Sequence, residues 1–418
     1  MRLLNKYRVE IVYLGILVFI YICIRSLHFS QIFNFSSEQA SFSTTAMRLL
    51  KEHKIELIGP PISWRYEGRY FFQGSLTFYA LIPFLILGRW DPVASTYWMV
   101  LFGAIMLVFL YISTRLLTNR KKATIISFLF ATVPFYIDYS RFFWNPNLQF
   151  LFSPFVILWM GLFKKYRKTI FLFLVSLTSG ALMLFHYQFF AIICGLIVYY
   201  LFFSGINVKK KIIFLLGFPL GFSPLIVFEL RNHFYNLQTL LLFFSHAKQV
   251  FPQGGSGLMG IITSYYMLCP SLFLTLLFLK RIKIINMKVI MAVGIMILIY
   301  SLSIYLPVPT RAFGMARDWN YLMEKKVYDI IRAQKIEGFN VVNLGYDTVA
   351  AVQKYFLIRD GVKGNWEDYY HNKYLFLITY PQDYMRNPAY EINTFSPNIV
   401  LKKWTLNDRY TMYLLERK

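Results

Sequence analysis

Apolar residues fall in long blocks, at roughly 9 to 27, 93 to 114, 123 to 139, 148 to 163, 169 to 185, 187 to 203, 212 to 228, 258 to 279 and 289 to 306, separated by short polar or basic clusters. Each block is close to the ~20 residues a helix needs to cross the bilayer core. The pattern predicts a mainly α, polytopic integral membrane protein with about nine transmembrane helices. A further stretch, FFQGSLTFYALIPFLILG at 71 to 88, carries Gly74, Pro83 and Gly88. It reads as a juxtamembrane or shallowly embedded helix capping the outer face. Beyond Pro307 and Pro309 the pattern changes: β-rich runs FNVVNL, YLFLITY and YTMYLL accompany the helical period of WNYLMEKKVYDIIRAQ. This predicts a transmembrane domain over 1 to 308, with outer loops at 28 to 92 and 229 to 257, the second ending in FPQGGSG. A small external α/β domain follows over 309 to 418.

The charge pattern sets the expected threading. The formal charge of +24 is spread as short clusters between apolar runs, not as one basic face or tail, so nucleic acid is excluded as the partner. If 71 to 88 does not cross, the clusters around Arg8, Arg120 to Lys122, Lys164 to Lys168, Lys209 to Lys211 and Lys280 to Lys288 all face the cytoplasm. The short outer loops then keep only Arg141, Arg231 and Lys248. If it crosses, every later loop violates that bias. The expectation is therefore a multi-pass protein of the cytoplasmic membrane with its N-terminus inside and its C-terminal domain outside. MRLLNKYR followed by VEIVYLGILVFIYICI has signal-like order without a small-residue cleavage site, and reads as a retained first helix. Cys23, Cys194 and Cys269 lie inside apolar runs, where they neither staple an external domain nor show metal-ligand spacing.

Acids are scarce in the first 308 residues: Glu10, Glu38, Glu52, Glu56, Glu67, Asp91, Asp138 and Glu229. Glu38 stands out. Ser36-Ser37-Glu38-Gln39 matches a capping box, which puts Glu38 in the first turn of a helix just beyond the first span. The helix dipole favours the ionised carboxylate there, and such a group is suited to take a proton from a hydroxyl. Four polar clusters share its predicted outer face. They are LIGPPIS (57 to 63), a rigid turn; SRFFWNPN (140 to 147), with Arg141 and Asn145; LFHYQFF, with His186; and FELRNHFYN (228 to 236), with Glu229, Arg231 and His233. Singly, each also fits an interfacial anchor, an aromatic-belt residue or a surface ion pair. Together they suit an anionic lipid headgroup, which the planar guanidinium of Arg141 or Arg231 would grip. No histidine pair, DxD or Gly-rich phosphate loop is present.

The order of an acid-Gln-Ala sequence after the first span, LIGPP, FQGSLTFY, SRFFWNPN, an outer-end His, FELRNHFYN and a small C-terminal domain resembles the bacterial polyprenyl-phosphate-dependent glycosyltransferases of the GT-C fold. These are relatives of the protein mannosyltransferases and lipid A aminoarabinose transferases. The resemblance covers nearly the whole chain. It implies a hexosyl or pentosyl transferase, usually inverting, in which an acid of the first outer loop, by position Glu38, is the general base on the acceptor. The donor is a polyprenyl-phosphate sugar and the acceptor a glycan, lipid or protein hydroxyl. Arg141, His186 and Arg231 would hold or neutralise the phosphate, while Asn145, Glu229 and His233 complete the donor site. The family usually has Asp at the Glu38 position and often a second acid nearby, where this chain has Ser41 and Phe42. A second acid before Pro in the next outer loop is here Asn145. No cofactor is required, a divalent cation is compatible, and no metal ligand is assigned. Two other functions fit the same composition: a lipid-linked glycan flippase, which needs polar residues inside the spans, and a catalytically inactive scaffold.

Overall fold

The computed structural model describes residues 2–247, 264–282, 287–309, 311–345, 347–364, 366–380 and 389–418. In chain order its elements are α1 (Arg2–Ser26), α2 (Phe29–Ile32), α3 (Ser37–Glu52), β1 (Ile58–Tyr66), β2 (Arg69–Gly74), α4 (Leu76–Leu87), α5 (Pro92–Leu117), α6 (Arg120–Thr132), α7 (Pro134–Asp138), α8 (Asn145–Phe152) and α9 (Pro154–Tyr166). There follow α10 (Thr169–Met183), α11 (Phe189–Val198) with a π-helical turn at Tyr199–Phe203, α12 (Val208–Gly221), α13 (Ser223–Arg231), α14 (Tyr235–Ser245), α15 (Leu268–Arg281) and α16 (Met287–Tyr305). The last are α17 (Tyr321–Ala333), β3 (Phe339–Asn343), α18 (Ala351–Arg359), β4 (Tyr374–Thr379), α19 (Tyr390–Asn393), β5 (Asn398–Thr405) and β6 (Thr411–Arg417).

Two compact units result. One comprises residues 1–27, 49–84 and 96–306, the other 28–48, 85–95 and 307–418.

The first unit is helical, with the β1–β2 hairpin as its only sheet among the described residues. Each apolar block meets helix, but four helices are long and apolar enough to span a membrane: Arg8–Ser26, Pro92–Leu117, Asn145–Tyr166 and Lys288–Tyr305. The pair α12 and α13, bent by 63°, makes a fifth. Against the nine blocks expected, four or five continuous helices among the described residues meet that length and composition, and prolines interrupt some of the other blocks. Pro134 separates α6 from α7, and Pro224 opens α13 where α12 ends; proline has no N–H to donate and its ring clashes with the preceding turn. Helices α10 and α11 are short apolar pieces. The block from 258 begins outside the described residues, as does FPQGGSG.

The expected turn at 57 to 63 is a strand: β1 pairs antiparallel with β2, and Glu67 and Gly68, both at positive φ, form the two-residue loop between them. Phe71 to Gly74, read as the start of a helix, belongs to β2, and the helix begins at Leu76.

In the second unit a four-stranded sheet runs β3-β4-β6-β5. β3 and β4 are parallel and the other pairs antiparallel. Its core holds Val342, Leu375, Leu377, Phe395 and Leu415. Helix α17 buries Tyr321, Val327, Tyr328 and Ile331 and is capped by Asn320, whose side chain accepts from the Met323 N–H. Residues 28–48 belong here too. Phe33 and Phe35 are fully buried, with the Phe33 ring 5.0 Å from Tyr321 and the Phe35 ring 5.2 Å from Tyr355.

Candidate functional site

Glu38 is exposed in the first turn of α3. The Ser36 N–H donates to Gln39 Oε1 at 3.1 Å, and the Ser36 hydroxyl donates to the same oxygen at 2.5 Å. That is the reciprocal arm of the capping box, with buried Gln39 closing back on the start of the helix. The approach to this turn is equally fixed. Buried Asn34 donates to the Phe313 carbonyl at 3.0 Å, and phenylalanines 33 and 35 anchor on α17 and α18. Glu38 belongs to the second unit. Arg141, Asn145, His186, Glu229, Arg231 and His233 belong to the first.

In the first unit, β2 is the hub. The side chain of Asn145 donates to Gln73 Oε1 and, at 3.2 Å, to the Phe185 carbonyl. The neighbouring Phe72 carbonyl accepts from the Tyr187 hydroxyl at 2.7 Å and from Asn236 Nδ2 at 3.0 Å, while the Phe72 N–H donates to Asn236 Oδ1 at 2.9 Å. Asn236 leads on to Glu229, whose two carboxylate oxygens accept the N–H groups of Asn236 and Leu237 at 3.2 and 3.1 Å. Glu229 therefore caps the start of α14, instead of forming the surface ion pair with Arg231 that its position suggested. The hairpin thus joins SRFFWNPN, LFHYQFF and FELRNHFYN through Asn145, Tyr187 and Glu229.

His186 is buried. Its Nδ1 accepts the Gln188 N–H at 3.2 Å, and its ring lies 5.5 and 6.0 Å from those of Tyr265 and Tyr266. Burial pulls its pKa down to about 4. The ring is neutral at pH 7, so it can exchange hydrogen bonds with a ligand but does not supply the positive charge expected of it.

Arg141 retains its charge. Burial lowers its pKa to about 10, with Asp138 opposing the shift and Arg25 reinforcing it. Its guanidinium lies 4.4 Å above the Tyr305 ring and donates to the Ile24 carbonyl, while Nε is buried with no partner among the described residues. Beside it, fully buried Arg25 donates to Ser140 Oγ at 2.5 Å and to the carbonyls of Ala131 and Phe130 at 2.8 and 3.1 Å, which closes the C-terminal end of α6. Tyr305 donates to Asp138 at 2.8 Å. Two guanidinium groups thus share one nearby carboxylate, leaving the cluster with an excess positive charge. Sequence reading passed over Arg25, although a cation inside the first apolar block was itself a signal. Asp138, inside the block 123 to 139, carried the same signal, and Tyr305 gave none. Arg231 and His233 are exposed on and just after α13, and His233 holds the left-handed backbone conformation that reverses the chain into α14.

Among the described residues no group of three His, Cys, Asp or Glu side chains is arranged to hold a metal ion.

No protein-family model matches the chain, and no curated protein matches it in sequence. Its structure is similar to that of ArnT from Cupriavidus metallidurans bound to undecaprenyl phosphate, at 11% identity over 98% of each chain and a TM-score of 0.55. The apo state of that protein aligns at 10% identity over 98% of each chain, with a TM-score of 0.50. The Archaeoglobus fulgidus oligosaccharyltransferase complex with Zn and sulfate aligns over 87% of this chain and 67% of its own, at 12% identity and a TM-score of 0.45. At such identities the likeness is one of fold, and it identifies the chain as a multi-pass membrane protein of the GT-C fold.

Proposed function

We propose that this protein is a membrane glycosyltransferase that moves one sugar from an undecaprenyl-type phosphate carrier to an acceptor hydroxyl on the non-cytoplasmic face of the cytoplasmic membrane. The observation that carries this reading is the match over 98% of its length to a structure that holds undecaprenyl phosphate. Glu38, at the start of α3, removes the acceptor proton as the acceptor oxygen forms its bond to C1 of the sugar. The bond from C1 to the phosphate oxygen breaks, and the carrier leaves with the electron pair as polyprenyl phosphate. A single displacement of this kind inverts the anomeric centre. Charge grows on the leaving phosphate, and a guanidinium already held in a desolvated site stabilises it without reorganising. Arg141 suits that role through its unpartnered Nε, with Arg231 as a second cation. Neutral His186 and Asn145 offer hydrogen bonds to donor oxygens. Glu229 acts indirectly, by ordering the turn that carries His233 and α14.

The test is transfer of label from a radiolabelled polyprenyl-phosphate sugar in membranes containing the protein. Wild type moves label to an acceptor, and Glu38→Gln inserts normally but does not. Unchanged transfer by Glu38→Gln removes Glu38 from the reaction. Comparing surface glycans of strains with and without the gene identifies sugar and acceptor.

A further inference from the structure

We propose that Trp144, Tyr265, Tyr266 and His186 form the subsite for the transferred sugar, the aromatic rings taking the C–H face of a pyranose and His186 Nε2–H donating to one of its hydroxyl groups. The inference rests on the transferase reading and names the part of the donor that this cluster meets.

Three segments of the helical unit build the cluster. The turn before α8 brings Trp144, the turn between α10 and α11 brings His186, and a 3₁₀ turn at Tyr265–Met267, ahead of α15, brings the two tyrosines. The Tyr265 ring lies 4.4 Å from that of Trp144, 4.4 Å from Tyr266 and 5.5 Å from His186, and His186 lies 6.0 Å from Tyr266. Amide side chains brace the three segments against one another. Asn145 donates to the Phe185 carbonyl at 3.2 Å, and fully buried Gln149 donates to the Leu182 carbonyl at 2.8 Å and to that of His186. Gln188, with its amide nitrogen facing the 3₁₀ turn, donates to the carbonyls of Tyr265 and Tyr266 at 2.7 and 3.3 Å.

One donor is left over. His186 Nδ1 accepts the Gln188 N–H, so the neutral ring carries its proton on Nε2. That N–H has no partner among the described residues, although His186 is only 8% exposed. Around it Trp144 and Tyr265 are half-buried, and Tyr266 is 40% exposed. Aromatic side chains that only anchor a protein at the membrane interface need no buried donor among their rings. An aromatic wall with one directed polar group instead suits a ligand that is apolar on its face and polar at its rim. Of the parts of a polyprenyl-phosphate sugar, only the sugar has both features. The isoprenoid tail offers no acceptor, and the phosphate calls for a cation, which neutral His186 does not supply.

Equilibrium binding in lipid nanodiscs tests this, with bare undecaprenyl phosphate compared against its glucosyl, galactosyl, mannosyl and arabinosyl derivatives. Wild type should bind at least one glycosylated carrier more tightly than the bare one. Tyr265→Leu and His186→Asn should each cut that preference by about 3- to 10-fold, while affinity for the bare carrier stays as it was. Asn keeps an acceptor near the Nδ1 position for the Gln188 N–H and removes Nε2. His186→Gln places an amide nitrogen near Nε2 and should recover part of the preference. Equal binding of all five carriers by wild type, or a preference unchanged in either variant, overturns the subsite and leaves the carrier reading standing. Parallel loss of bare and glycosylated carriers in the variants also overturns it, since the cluster then only supports the fold. Failure of wild type to bind any carrier overturns both readings. Should Tyr265→Leu fail to insert, His186→Asn decides.

Discussion

A guanidinium taken out of water with one N–H unmet is costly unless a ligand completes it, and this makes Arg141 the most informative single side chain in the helical unit. Its remaining contacts, a carbonyl and the face of Tyr305, would serve a lysine poorly, because Lys lacks the planar fork. Arg141→Lys therefore keeps a positive charge but loses the directed Nε donor. We expect kcat/KM for the lipid-phosphate donor to fall roughly 10- to 150-fold, the equivalent of about 1.5–3 kcal/mol for a charge-assisted hydrogen bond. Steady-state transfer at several donor concentrations measures it, and unchanged kinetics would remove Arg141 from the donor site. A second residue-scale prediction concerns stability. Glu324 is fully buried, with the Trp319 indole N–H donating to it at 2.6 Å and Gln353 donating to its other oxygen. Burial outweighs those donors and raises its pKa from 4.5 to about 8. Between those pH values the folded state binds the extra proton, so the stabilisation is complete below about 4.5 and is lost as pH rises through about 8. The slope is up to ~1.4 kcal/mol per pH unit. Glu324→Gln should flatten the pH dependence of thermal unfolding between pH 5 and 8, read by intrinsic fluorescence in detergent. An unaltered slope would show that Glu324 is ionised in the fold.

Elements in the helical unit are brought together by missing side chains as much as by present ones. A Cβ at Gly221 would collide with the Leu177 carbonyl, one at Gly217 with the Ser176 hydroxyl and the Leu177 N–H, and one at Gly180 with the Phe218 carbonyl. Helices α10 and α12 therefore touch backbone to backbone, as small residues allow in membrane proteins. In an isolated helix Gly→Ala gains up to ~1 kcal/mol. Here the obstacle at Gly221 is main chain, which cannot swing aside, so the sign reverses. Gly221→Ala should destabilise by about 1–3 kcal/mol, seen as a lower unfolding midpoint in detergent; a rise would mean the two helices separate readily. The turn between α13 and α14 makes the complementary case, since His233 and Phe234 both adopt left-handed backbone and the following N–H groups depend on Glu229. Glu229→Ala should cost ~1 kcal/mol and loosen α14, detectable as faster amide exchange at residues 235–239 with little change elsewhere. The hairpin under this turn was hard to read in advance. Gly59-Pro60-Pro61 is turn chemistry by composition, and only the Glu67-Gly68 pair signalled the reversal that turns the segment into paired strands. The register shifts around Pro61 show how the ladder accommodates residues that cannot donate.

At the scale of the whole chain, hydrophobic periodicity located the helical stretches, and composition marked where strands begin. What stayed hidden depended on side-chain contacts: Arg25 with Ser140, Asn145 with Gln73, and Glu229 turned toward α14 in place of Arg231. No spacing in one dimension encodes these. The charge pattern was legible and has a structural counterpart. Glu10 bridges Arg115 and Arg120, Lys122 reaches the Lys280 carbonyl at 3.0 Å, Lys164 reaches that of Leu117 at 2.6 Å, and Lys210 that of Arg167 at 3.3 Å. The basic loops therefore meet one another within the helical unit. A membrane that retains Lys and Arg on its cytoplasmic side then fixes which surface this is. Single cysteines in place of Lys121 and Tyr380, introduced into a chain with Cys23, Cys194 and Cys269 replaced, turn that inference into a measurement with an impermeant thiol reagent. Position 380 should label in intact cells and position 121 only after permeabilisation. Labelling of position 121 from outside would place the basic surface beyond the membrane, and the cations proposed to meet a lipid-borne phosphate would then face the cytoplasm, with the acceptor sought on that side.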